Sequence, residues 1–260
     1  KEYDIPMFAN AALNRPGLAP GEYPSGGPLP HLLDIWQIGA PSLHFLSPDC
    51  YLPGFADWCR NYHTDSNPLF IPEASFTPES GVNALYCTGK HYAFGFSPFA
   101  VESGDEESIA LLTSCYEMLS RLEPLILEKK EPVRMTAFRL DTQTQTTTFR
   151  MGDFVLRCGH TWTLPWSPAK DPERLPAAGA LLIHLSPKEF VVAGMGVYIA
   201  FESVRDSRNA GILSIQEGTF QDGEWTAGRT MNGDESHQGR HLRLEYGSFT
   251  IQRVRLYTYS

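Results

Sequence analysis

Pro68-Leu69-Phe70-Ile71-Pro72-Glu73-Ala74 is an apolar run, punctuated by proline, that ends in a single acid. It reads as a buried β-strand that delivers one carboxylate to a rim. A glutamate there, unlike one on a solvated helix face, sits where burial costs free energy unless the group is paired or used. Spacing alone leaves two readings of Glu73 level: a salt-bridged acid at a strand end, or a working carboxylate.

The chain around this run alternates strands and helices. Residues 5–10 are a short strand ending in Asn10, and a Gly/Pro-rich loop follows over 15–28 (RPGLAPGEYPSGGP). That is long for a connection within a compact domain, which points to a functional loop. Residues 29–38 read as a helix carrying Leu32, Leu33, Ile35, Trp36 and Ile38, stopped by Gly39 and Pro41. A strand over 43–46 runs out into Ser47-Pro48-Asp49-Cys50-Tyr51, and 55–62 form a short helix. After the 68–74 strand come a helix from about residue 82 to 91 and a strand over 92–96 that ends in Ser97-Pro98-Phe99. Residues 106–128 form a long amphipathic helix with Ile109, Leu112, Cys115, Leu119, Leu122 and Ile126 at helical spacing.

Four successive strand–helix units predict a parallel sheet with right-handed crossovers. Each strand ends in polar or acidic residues at its C-terminal tip, where barrel enzymes build their sites. The open doubly wound alternative lacks a Gly-rich phosphate loop after any strand. The tips of the first two strands would bring Asn10, Asp49 and Tyr51 round the same mouth as Glu73. There they would hold a polyhydroxy ligand through hydrogen bonds, although loop capping explains Asn10 and Asp49 as well. Tyr23, among glycines in the long loop, is placed to border a pocket. Glu22 and Glu102 are weaker candidates, and Trp36 and Trp58 belong to helices. His31, His44, His63 and His91 share no ligand-like i, i+4 spacing, so they read as structural or surface residues.

Residues 129–132 (KKEP) mark a change of style, dividing an expected barrel-type domain over 1–130 from a β-sandwich over 131–260. Strands are expected over 134–141, 146–157, 180–185, 189–192, 197–201, 211–218, 242–246 and 249–259. Residues 167–176 form a polar loop, and Asp222-Gly223 and Asn232-Gly233 are hairpin signals. The acid is unevenly spread: a net charge of about −10 falls within residues 1–132, while 133–260 are close to neutral. That balance, with no basic cluster in the linear sequence, argues against nucleic acid or another polyanion as a partner. The five cysteines include no C-x-x-C pair and no Cys/His cluster with zinc spacing, and read as small core residues. No run of about 20 apolar residues is present to span a membrane. No signal peptide is visible, and the opening on Lys1-Glu2-Tyr3-Asp4 reads as a cut within a longer protein.

Several strings together carry a resemblance: MFANAAL, PGEYPSGGP, HLLDIWQIGAPSLHFLSPDCY, NPLFIPEA and AFGFSPFAVES. Across about the first 105 residues the chain resembles bacterial β-galactosidases of glycoside hydrolase family 35, in the subgroup whose barrel precedes a C-terminal β-domain of uncharacterised function. The resemblance implies a retaining hydrolase of terminal β-galactosides in oligo- or polysaccharides, needing no metal or organic cofactor, and favours a periplasmic or secreted location. It equates residues 5–10, 43–49, 68–74 and 92–97 with strands five to eight of a (β/α)8 TIM barrel. Glu73 is then the nucleophile, and Asn10, Tyr23, Asp49 and Tyr51 are substrate contacts. The family's acid/base glutamate belongs to strand four, a position no residue of this chain occupies. The expected partner is therefore the N-terminal barrel half, and this chain by itself is expected to be inactive.

The chemistry requires that second acid. One carboxylate attacks the anomeric carbon while another, about 5 Å away, protonates the leaving oxygen and later activates water. Glu73 must be ionised to attack, so hydrogen-bond donors are expected beside it. Two rival functions remain at this level: a non-catalytic carbohydrate-binding or structural fragment, and a barrel enzyme in which Glu73 is a general base or metal ligand. A β-glycosidase of other sugar specificity is a narrower alternative within the same mechanism.

Overall fold

A computed structural model describes residues 5–19, 21–24, 26–128, 134–167, 174–205 and 208–260. Residues 1–4, the KKEP boundary at 129–132 and most of the 167–176 loop lie outside these. The fold mixes helices with several sheets and is richest in strand. Two compact units divide it, one formed by Lys1–Thr77 with His91–Gly104 and the other by Pro78–Lys90 with Asp105–Ser260.

The first unit is built on a parallel sheet of β1 (Phe8–Ala12), β2 (Phe45–Cys50), β3 (Ile71–Ala74) and β4 (Phe96–Pro98), hydrogen-bonded in chain order. Two helices belong to it, α1 (Leu33–Gly39), entered through a 3-10 turn at Pro30–Leu32, and α2 (Phe55–Tyr62). α2 starts where Gly54 takes a left-handed φ of 85°. It buries Phe55, Cys59 and Tyr62, and the Tyr62 hydroxyl donates to the Pro28 carbonyl at 2.8 Å. The expected strand at 92–96 begins only at Phe96, because Tyr92 adopts a left-handed φ of 54° and breaks the extension. One phenylalanine near the start of each strand (Phe8, Phe45, Phe70 and Phe94) joins a quartet of rings whose contacting pairs have centroids 5.0–5.7 Å apart. Phe8 and Phe94 remain 39% and 56% exposed, so this aromatic layer is only half covered.

Strand β3 is fastened by a side chain whose role sequence reading missed. Asn67 is fully buried. Its Oδ1 accepts from the Leu46 N–H at 2.8 Å, and its Nδ2 donates to the Leu46 carbonyl at 2.9 Å and to the Tyr62 carbonyl at 2.7 Å. The amide thus acts as a piece of backbone that extends the β2–β3 pairing and closes the end of α2.

Among the described residues, the second unit contains α3 (Ser80–His91, through Lys90), α4 (Glu106–Glu128) and ten antiparallel strands in two sheets. β5 (Met135–Leu140), β8 (Ala178–Ser186), β9 (Glu189–Met195), β11 (Asn209–Gln221), β12 (Glu224–Thr230) and β14 (Thr250–Tyr259) form a sheet in the order β12-β11-β14-β9-β8-β5. β6 (Thr146–Met151), β7 (Phe154–His160), β10 (Val197–Ser203) and β13 (His241–Leu244) form the other, in the order β13-β10-β7-β6. Buried side chains of both sheets, among them Leu156, Phe190, Val192, Ile199 and Leu242, make one sandwich-like core. The strand expected over 146–157 is a hairpin instead, turned at Gly152 with a φ of 58°. Asp222-Gly223 does turn the β11–β12 hairpin, whereas Asn232-Gly233 does not make one. Asn232 Oδ1 captures the N–H groups of Asp234 and Glu235 at 2.9 and 3.0 Å, and the chain leaves for β13 on the other sheet.

Helix α3 approaches its neighbours closely through two glycines. A Cβ on Gly89 would meet Ala137 and Leu181, and one on Gly81 would meet Phe249 and the Leu111 carbonyl. The buried stripe of α4 is Ser108, Leu111, Leu112, Cys115, Met118, Leu122 and Leu125, while Ile109 is exposed. All five cysteines are buried. No helix among the described residues is long and apolar enough to cross a membrane.

Removing the Asn67 amide strands two buried backbone groups of Leu46. Asn67→Ala is expected to cost about 2–4 kcal/mol. Asn67→Asp is expected to be similarly damaging, since a carboxylate cannot donate to two carbonyls. A fall in the urea midpoint for both variants is the check.

Candidate functional site

The C-terminal ends of β1, β2 and β3 collect the acids that sequence reading singled out. Parallel register places Asn10 opposite Ser47 and Ala12 opposite Asp49, so Asn10 and Asp49 share a face two residues apart. Asn10 Nδ2 donates to both oxygens of Asp49, at 2.8 and 3.0 Å. On the other side Asp49 is in register with Glu73. Tyr51, one residue past β2, turns its hydroxyl back across the strand ends and donates to Glu73 Oε1. Asn10, Asp49, Tyr51 and Glu73 therefore form one row over three adjacent strands.

The electrostatics follow from that proximity. Burial pushes the Asp49 carboxyl above its ordinary value, the Asn10 amide pulls it back, and the charge of Glu73 raises it again. The Tyr51 hydroxyl is raised by desolvation, then by its bond to Glu73, then by the charges of Glu73 and Asp49. Tyr51 is thus a protonated donor throughout the neutral range, and at 45% exposure it remains open to a ligand.

The long loop is laid on the end of β1. Ala12 and Gly26 exchange backbone hydrogen bonds at 3.1 and 3.4 Å. Gly27, with a φ of 91°, lies so close to Asn10 that a Cβ would strike the Asn10 carbonyl oxygen. Tyr23 is held within this loop and is buried, its hydroxyl accepting from Asn14 at 3.4 Å and its ring lying 6.0 Å from the Arg15 guanidinium carbon. Glu22 closes a turn by accepting from the Ala19 N–H at 2.7 Å, and Glu102 sits in an exposed 3-10 turn. Trp58 donates to the Pro53 carbonyl at 3.1 Å.

His63 and His91 lie 28 positions apart, yet their Nδ1 atoms meet at 3.2 Å. Sequence spacing carried no trace of this pair. Among the described residues no group of three or more His, Cys, Asp or Glu side chains could hold a metal ion.

Residues 112–243 match the family described as a domain of unknown function, DUF5597. The chain belongs to the DUF5597 family. That match runs from within α4 to the end of β13's third residue, so it lies in the second unit and contains none of the Glu73 row. No curated protein matches the chain.

The raised Asp49 gives a test of the row. A carboxyl whose folded-state value exceeds its unfolded one binds more protons when folded, so its contribution to stability is lost as pH rises through that window. Asp49→Asn removes this dependence. Melting temperatures measured from pH 3.8 upward should show the variant gaining on the wild type as pH rises; a difference that stays flat with pH contradicts the assignment.

Proposed function

We propose that this chain is the C-terminal portion of a retaining glycoside hydrolase of the β-galactosidase type, related to glycoside hydrolase family 35, with Glu73 as the nucleophile. The observation that carries the reading is the Tyr51–Glu73 hydrogen bond at the C-terminal ends of a parallel sheet, beside an Asp49 clamped by Asn10. Parallel barrels build their catalytic sites at that end.

In this reading the four-stranded sheet corresponds to strands five to eight of a TIM barrel. The half-covered ring quartet of Phe8, Phe45, Phe70 and Phe94 supports this, since a barrel interior is a packed core and these rings leave one side to be covered. The acid/base carboxylate would come from the N-terminal barrel half, about 5 Å from Glu73.

The chemistry follows from the residues present. Glu73 attacks the anomeric carbon with Oε2 while Oε1 stays on the Tyr51 hydroxyl, which fixes the carboxylate plane. The partner acid protonates the glycosidic oxygen as the aglycone leaves and Glu73 forms a glycosyl ester; the partner, now a carboxylate, takes a proton from the water that hydrolyses that ester. Asp49 and Asn10 bind sugar hydroxyls, the carboxylate accepting and the amide orienting it.

A 2-deoxy-2-fluoro-β-galactoside with a dinitrophenolate leaving group needs no acid catalysis to react, and so isolates the nucleophile. In the protein carrying both barrel halves, the glycosyl adduct is expected on the peptide containing Glu73 by mass spectrometry. It should disappear in Glu73→Gln. Tyr51→Phe should lower kcat about a hundred-fold with little change in KM. An adduct on another residue, or none, overturns the reading in favour of a binding module or another barrel chemistry.

A further inference from the structure

The turn that follows β7, His160-Thr161-Trp162-Thr163-Leu164-Pro165-Trp166, sets two tryptophans four residues apart in the second unit. The backbone there is pinned at each end. His160 Nδ1 accepts from the Trp162 N–H at 3.1 Å, and its Nε2 bonds to the Pro176 carbonyl at 3.0 Å, which makes Nε2 the protonated nitrogen. The Thr161 N–H donates to the Gly196 carbonyl at 2.9 Å and the Thr163 hydroxyl to the His160 carbonyl at 2.8 Å.

Across from this turn lies the end of β13. The guanidinium of Arg243 is held by the backbone carbonyls of Asp234 and Glu235 at 3.1–3.2 Å. Glu245 and Tyr246 follow, and the Gly196 N–H donates to the Glu245 carbonyl at 3.2 Å. Between the two walls is a cleft of about 270 Å³ lined by Trp162, Trp166, Arg243, Glu245 and Tyr246.

The geometry of its rings defines what fits. Trp162 and Tyr246 meet at 5.3 Å and 58°, making a corner. Trp166 is 48% exposed, and it stacks on His237 at 4.5 Å and 24°. His237 in turn stacks on the buried His241. The indole is therefore a supported platform rather than a loose surface ring. Two aromatic walls with one fixed cation and one carboxylate suit a small, uncharged, hydroxyl-bearing ring: apolar C–H faces lie on the aromatics, and hydroxyls reach donors and acceptors of both kinds. A polyanion would be repelled by Glu245 and a polycation by Arg243.

We infer that this cleft is a second carbohydrate site, binding one pyranose ring of a neutral saccharide against Trp166, with Glu245 and Arg243 engaging its hydroxyls. It stands apart from the Glu73 reading, because every residue it uses belongs to the second unit, and six of its eight lining residues fall within the DUF5597 match.

The test is calorimetric titration of the full chain with methyl β-D-galactopyranoside, methyl β-D-glucopyranoside and β-1,4-galactobiose. Binding in roughly the millimolar range is expected for at least one probe, weakened about ten-fold or more by Trp166→Ala and by less than about three-fold in Trp166→Phe. Glu245→Ala, at an exposed position, should weaken it about five-fold and serves if Trp166→Ala does not fold. Trp166→Ala and Glu245→Ala alter no residue of the Glu73 row, so failure here and failure of the glycosyl-adduct experiment are read separately. No binding of any probe, or binding that neither Trp166→Ala nor Glu245→Ala weakens, overturns the inference.

Discussion

Asn67 is the fastening on which the first unit depends. A parallel sheet gains its pairing only when strands far apart in sequence are brought into register, and β3 contributes just four residues to that ladder. Such a short strand has little pairing of its own. The buried amide adds two bonds to Leu46 and one to Tyr62, so β2, β3 and α2 share a single anchor. Because the anchor lies only six residues before Glu73, the register that sets Glu73 beside Asp49 is fixed within the same short span.

That register creates an electrostatic problem and its local answer. Two carboxylates on neighbouring strand ends repel, and burial adds to the cost for Asp49. Each acid is given a donor: the Asn10 amide for Asp49 and the Tyr51 hydroxyl for Glu73. The pairing is not interchangeable. An amide spanning both oxygens immobilises a carboxylate, whereas a single hydroxyl leaves one oxygen of Glu73 for other work. The second unit handles polarity differently, fixing His160 and Arg243 on backbone carbonyls so that aromatic rings can stand at its surface.

Much of this was legible in the chain. The helices at 55–62 and 106–128 agree with the structure, and the four-strand parallel order follows from apolar runs alternating with helical periodicity. Asn10, Asp49, Tyr51 and Glu73 could be named because each lies at the end of such a run. Other features were harder to read. The hairpin turn Gly152-Asp153 sits in a run otherwise made of strand formers, so its two strands read as one. The α4 stripe was misplaced because Ile109 and Leu111 are equally apolar, and only packing selects between them. Tyr23 was read as a pocket wall because it sits among glycines; in the structure it is buried, with its hydroxyl on Asn14.

By itself the sequence determined the main element types and which polar side chains close the apolar runs, because periodicity and chain-terminating residues are local properties. Tertiary structure decided what those side chains do. Whether Asp49 meets Asn10, whether Tyr51 reaches Glu73, whether His63 finds His91 and whether Trp166 gains a histidine beneath it all depend on register and packing between distant segments. Hydrogen bonds and stacking act over a few ångströms, and only the folded chain brings those groups within that range.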